Sequence, residues 1–114
     1  MSNFFEDYLA SWETLDVDAV MAFFTDDIEY EDTTIGHGAS GAKRMRHFIE
    51  ASFHNVPDAK FEYIGSHSTG EAYAIEWVMQ PMNVRGVSIG SLRDGKICAN
   101  RDYWNGAKYA VPNT

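Results

Sequence analysis

From Pro57-Asp58 onward the spacing of apolar residues is that of strands alone, and that limits what the chain can fold into. Upstream, Phe5, Tyr8, Leu9, Trp12 and Leu15 recur at helical intervals. Ser2 is the expected N-cap, with Glu6 and Asp7 near the positive end of the helix dipole. Asp16 is expected to cap a second helix whose apolar stripe is Val17, Val20, Met21 and Phe24, stopped by Thr25-Asp26-Asp27. Residues 28–34 read as a short strand and Gly36-His37-Gly38 as a turn. Ser40 then caps a third helix that brings Met45, Phe48, Ile49 and Phe53 to one face.

Proline ends that helix, since its ring and missing N–H cannot continue the ladder. Four strand-like runs follow, at 61–68, 72–80, 84–92 and 97–104. Thr69-Gly70-Glu71, Pro81-Met82-Asn83 and Arg93-Asp94-Gly95 separate them as turns. The tail after Asn105 is expected to be loosely ordered. Helices first and strands last predict an α+β layer fold, with an antiparallel sheet that carries three helices on one face and encloses a pocket. The 114 residues are enough for a single domain, 1–114, with its own core, and neither a repeat nor a linker divides them.

Composition narrows the function classes. Seventeen acidic against nine basic residues give a formal charge of -8, which disfavours nucleic acid and anionic membrane as partners. No apolar run is long enough to span a bilayer, and residues 1–7 show no basic region followed by an apolar one. A single cysteine, Cys98, excludes an internal disulfide. These features point to a soluble cytoplasmic protein. His37, His47, His54 and His67 lack metal-ligand spacing, and Gly36-x-Gly38 is too short for a phosphate loop. No metal and no cofactor are expected. His37 is a candidate for the pocket rim and His67 a weak acid/base candidate.

Side chains two apart on a strand share a face. Ile28, Tyr30 and Asp32 therefore point one way, as do Asn100, Asp102 and Trp104, with Ile97, Ala99, Arg101, Tyr103 and Asn105 opposite. A carboxyl in an apolar cavity has its charged form disfavoured, which suits a general base. A phenol beside a developing oxyanion stabilises charge that exists only in the transition state. Structural readings stand beside these. Tyr8 is also placed to fill the core, Asp32 to cap the turn before Gly36, and Asp102 to pair with Arg101 or Arg85. Trp12 and Trp77 read as core aromatics and Trp104 as a pocket wall.

The chain resembles the cone-shaped α+β barrels of the nuclear transport factor 2-like superfamily over roughly residues 4 to 105. Tyr8-Leu9-Ala10-Ser11-Trp12 through Phe23-Phe24-Thr25-Asp26-Asp27 is similar to that family's opening helical hairpin. Ile28 to Asp32 is similar to its first strand, Val56-Pro57-Asp58 to the turn before the sheet, and Arg101-Asp102-Tyr103-Trp104-Asn105 to its closing hairpin. Within it the chain looks most like SnoaL-like polyketide cyclases and ketosteroid isomerases. That resemblance implies a curved sheet wrapped on three N-terminal helices, an apolar oxygen-bearing substrate of steroid, polyketide or terpenoid kind, and a homodimer formed through the sheet. It places Tyr8 at the oxyanion-donating tyrosine, Asp32 at the general base, Ser88 near a second donor and Trp104 at the pocket wall. Asp102 and Asn100 would hydrogen-bond the substrate, with Tyr30 beside them. A second resemblance, to limonene-epoxide-hydrolase-like proteins, makes Asp102 catalytic. It also calls for an Arg-x-Asp where this chain reads Arg85-Gly86-Val87. Exposed aromatics on the sheet (Tyr73, Trp77, Tyr103) are expected to suit the dimer interface. The remaining alternative is a non-catalytic binding module on the same cone.

Overall fold

A computed structural model describes residues 3–109. Helix α1 (Phe4–Ser11) is capped by Asn3, whose side chain accepts from the Glu6 amide at 2.9 Å; Ser2 lies outside the described residues. The helix ends before Leu15, which has a φ of 58° and is 53% exposed, so Leu15 is not part of the apolar stripe. Asp16 caps α2 (Val17–Met21), accepting from the amides of Asp18 and Ala19 at 3.0 and 3.4 Å. That helix is one residue over a turn long. Phe24 belongs instead to β1 (Phe24–Asp32), because the Phe23 carbonyl is already paired with the Ile97 amide at 2.8 Å.

The segment read as a Gly-rich turn contains a strand, β2 (His37–Ser40), antiparallel to β1 with Asp32 opposite His37. Gly41, not Ser40, is the N-cap of α3 (Ala42–Asn55); the Ser40 hydroxyl donates to Glu29 Oε2 at 2.5 Å. Then follow β3 (Lys60–Thr69), β4 (Ala72–Gln80), β5 (Val84–Arg93) and β6 (Lys96–Trp104). Successive hairpins join these four strands, the last by Asp94-Gly95 with positive φ at both residues, the pattern of a two-residue hairpin turn. Residues 106–109 form a 3₁₀ turn rather than a loose tail, and the rest of the tail lies outside the described residues.

The six strands run in the order β2-β1-β6-β5-β4-β3, curved and unclosed. The sheet is mixed rather than antiparallel, because β1 pairs with β6 in parallel. Three helices cover its concave face, and Val20, Ile28, Met45, Ile49, Ile75 and Ile97 are fully buried between the layers. Among the described residues no helix is long and apolar enough to cross a membrane.

Two features of the sheet decide which side chains reach the interior. In β4 the large residues Tyr73, Ile75 and Trp77 all face inward, at 4%, 0% and 5% exposure, so Tyr73 and Trp77 are not available on the outer face. Tyr103 is, at 41%. In β6 an irregularity against β5 between Ser91 and Leu92 breaks strict alternation, so Ile97 is buried on the same side as Asn100 and Asp102.

Candidate active site

The centre of the concave face is a buried polar cluster on three adjacent strands. Asp102 on β6 stands opposite Ser88 on β5 and Asp32 on β1. Its Oδ1 accepts from the Ser88 hydroxyl at 2.6 Å and from Asn100 Nδ2 at 2.8 Å, and its Oδ2 accepts from the Tyr30 phenol. Arg85 pairs instead with Glu76 at 3.7 Å, and Arg101 donates to the Tyr103 hydroxyl at 3.3 Å, so neither offsets the Asp102 charge.

Two outer partners orient these donors. Trp77 Nε1 donates to Ser88 Oγ at 2.9 Å; an indole N–H cannot accept, so the serine hydrogen is left for Asp102. The Tyr73 hydroxyl donates to Asn100 Oδ1 at 2.6 Å, which turns the amide Nδ2 toward Asp102. Both rings lie over glycines on β5. Trp77 is opposite Gly86 and Tyr73 opposite Gly90. A Cβ on Gly86 would come within 2.7 Å of Trp77 Cζ2 and Cζ3, and one on Gly90 within 2.7 Å of the Tyr73 hydroxyl. The inward residues of β5 are therefore Gly86, Ser88 and Gly90, the first and last chosen for clearance.

Burial is the largest influence on Asp102 and raises its pKa; the hydrogen bonds from Ser88, Tyr30 and Asn100 lower it, the charge of Asp32 raises it again, and the balance stands at about 6. Burial likewise raises the pKa of the Tyr8, Tyr30 and Tyr73 phenols, with the Asp102 charge contributing to each, so all three remain protonated donors at neutral pH. A carboxyl raised to about 6 among neutral donors is able to take up and release a proton near neutral pH.

These groups open onto a cavity of about 850 Å³ between the sheet, α1 and α3. Tyr8, Trp12, Tyr30, Phe48 and Trp77 give it aromatic walls, and Ser88, Asp102, Asp32 and Trp104 line it too. Trp12 and Trp77 are thus pocket walls as well as core residues. Asn100 is not among the lining residues: it is 1% exposed and both ends of its amide are engaged, so it acts on Asp102 rather than on a ligand.

Asp32 lies at the rim. Both its oxygens accept from the Trp104 indole, at 2.9 and 3.0 Å, and Oδ1 also accepts from the amides of Thr34 and Ile35 at 3.1 and 3.3 Å. The turn-capping role read for it is present, and few of its lone pairs are left for a substrate. His37 also lines the cavity, whereas His67 and Arg85 line a shallow depression on the outer face of the sheet. With Gly86 and Ser88 inward on β5, the cavity holds no second carboxylate beside Asp102 on that strand and no arginine bridging two acids. Among the described residues no group of three or more His, Cys, Asp or Glu could hold a metal.

Residues 5–100 match the family model of the SnoaL-like domain. Cyclase aurE of Calcarisporium arbuscula is 28% identical over 109 residues, spanning 82% of this chain and 80% of that protein. A SnoaL-like protein of unknown function from Burkholderia thailandensis superposes with a TM-score of 0.79 at 15% identity, over 90% of this chain and 92% of that one. SalBIII, described as an epoxide hydrolase/cyclase-like enzyme in pyran ring formation of the polyether salinomycin, superposes with a TM-score of 0.75 at 20% identity, over 91% and 89% of the two chains. At these identities the two structural likenesses speak for the fold alone.

Proposed function

The chain belongs to the SnoaL-like family, and we propose that it is a cofactor-independent acid/base enzyme, an isomerase or cyclase, acting next to a carbonyl on a small apolar oxygen-bearing molecule. The observation that carries this reading is the Asp102 carboxyl, buried beneath an aromatic cavity, held by three neutral donors and poised at about 6. Ionised Asp102 removes a proton from the carbon beside the carbonyl, and the electron pair moves onto the carbonyl oxygen. Tyr8, protonated and lining the cavity, donates to that oxygen. Return of the proton from Asp102 to a different carbon completes an isomerisation; for a cyclisation the enolate carbon attacks a second carbonyl carbon of the same molecule, that carbonyl's π pair moves onto its oxygen, and the oxygen takes the proton back from Asp102. The base is thus assigned to Asp102, while Asp32 fixes the Trp104 wall. Epoxide opening by paired acids is less well served, because Ser88 stands opposite Asp102.

Exchange of α-hydrogens in D₂O tests this without knowledge of the natural product. A panel of cyclic and polycyclic ketones and enones is incubated with the protein and read by mass spectrometry. At least one should gain deuterium, and Asp102→Asn should slow that exchange by about 10²- to 10⁴-fold. Saturable binding of the panel with no exchange and no product sinks the catalytic reading and leaves a binding module.

Association of two copies through the outer face of the sheet, where Tyr103 and Ile64 are exposed, belongs to the same proposal. Light scattering at micromolar concentration should then give a dimer; a monomer removes it.

A further inference from the structure

One wall of the cavity does not fit a wholly apolar substrate. The positions of α3 that line it run from Arg44 through His47, Phe48, Ala51 and Ser52 to Asn55, a stripe at helical spacing. Its first two members are basic, and His37 on β2 joins them. All three are exposed, which puts them at the mouth, while Asp102 lies at the floor. Arg46, Arg85 and Arg93 are each engaged by an acid and Arg101 by a phenol. Arg44 alone of the described arginines has no hydrogen bond or ion pair. The one acid at the mouth, Asp32, already accepts from Trp104 and two backbone amides. In a chain of formal charge -8, an unpaired guanidinium lining the mouth of a largely apolar cavity is a local point of positive charge.

We infer that the ligand is an amphiphile, an apolar body lying along α3 with an anionic end group, carboxylate or phosphate, held at the mouth by Arg44. The inference rests on the functional reading above and adds the charge of the substrate. Arg44 is then a specificity-determining residue: it touches the end of the ligand remote from Asp102 and takes no part in proton transfer.

Decanoate and decan-1-ol are the probes, titrated into the whole chain at low salt and followed by intrinsic fluorescence, since Trp12, Trp77 and Trp104 all line the cavity. The expected result is decanoate binding about three- to fivefold weaker in Arg44→Gln than in the parent, the size of an exposed ion pair. Decanol binding should be unchanged, and the decanoate difference should shrink in molar salt. Equal weakening of both probes, no weakening of either, or no binding of either overturns the inference. Fluorescence needs no turnover, so an anion preference without deuterium exchange would fault the catalytic reading alone.

Discussion

Trp77 and Ser88 are joined side chain to side chain across β4 and β5, and the 2.9 Å bond between them decides which way the serine hydroxyl points. With the indole donating, Ser88 has its hydrogen free for Asp102, 2.6 Å away. The pair forms one half of a cradle; Tyr73 and Asn100 form the other. Because both halves donate to the carboxylate, they restrain the rise in pKa that burial alone would impose.

Trp77→Phe keeps a ring over Gly86 and removes the indole donor. The apparent pKa of Asp102 should rise from about 6 by a few tenths of a unit, and Ser88→Ala should raise it further, by about one unit, the worth of one charge-assisted hydrogen bond. The carboxyl ¹³C shift followed against pH reads both. A Trp77→Phe midpoint identical to the parent, with Ser88→Ala displaced, would show that the tryptophan is wall only.

Gly86→Ala tests the clearance under the same ring. The new methyl would stand within 2.7 Å of Trp77 Cζ2 and Cζ3, so the indole must move. Overpacking of this kind destabilises by about 1 to 3 kcal/mol, and the displaced indole loses Ser88. Chemical denaturation should show that loss together with a displaced Asp102 titration. An alanine variant as stable as the parent would mean that the sheet yields there.

The raised pKa of Asp102 makes a signed statement about stability. Unfolded, the group titrates near 3.8; folded, near 6. Between these values the folded state binds more protons, so stability is highest below about 4 with respect to this group and falls as pH rises through about 6. The full effect is on the order of 3 kcal/mol, two pKa units at 1.36 kcal/mol each. Asp102→Asn removes that pH dependence. Its stability relative to the parent should therefore improve from pH 5 to pH 8, read by thermal unfolding across that range, even as exchange activity falls. A constant difference would mean that Asp102 titrates normally in the folded protein.

Much of this arrangement was legible in the residues. The helical stripes put Met45 and Ile49 in the core, Asp16 caps α2, and alternation put Tyr30 with Asp32 and Asn100 with Asp102 and Trp104 on common faces. What escaped is what alternation and turn signals do not encode. The parallel pairing of β1 with β6 is a long-range choice that no hairpin announces. The irregularity that turns Ile97 inward breaks the period locally. A glycine pair concealed β2. Trp77 reads both as a core aromatic and, with Tyr73, as an exposed one; only the core reading holds, and its signal is that Tyr73, Ile75, Trp77 and Met79 alternate with Ala72, Ala74, Glu76 and Val78, the bulkier apolar set belonging inside. The different hydrogen-bond partners of Asp32 and Asp102, on which the proposed choice between them rests, are visible only in the folded chain.

The proposed mechanism gives Tyr8 and Asp32 different roles, which kinetics can separate. Tyr8 is 1% exposed, lines the cavity, and has its pKa raised by burial, so under the proposed mechanism it would donate a hydrogen bond to the enolate oxygen while staying protonated. Tyr8→Phe keeps the ring and removes the donor; kcat on an exchanging ketone should fall by about 10²- to 10³-fold with KM nearly unchanged, because the lost bond forms mainly in the transition state. Asp32→Asn retains an oxygen for the Thr34 and Ile35 amides and loosens only the grip on the Trp104 indole. It should change KM more than kcat, by severalfold. If Asp32→Asn abolishes exchange while Asp102→Asn does not, the base sits at the rim and the buried carboxyl is a structural group.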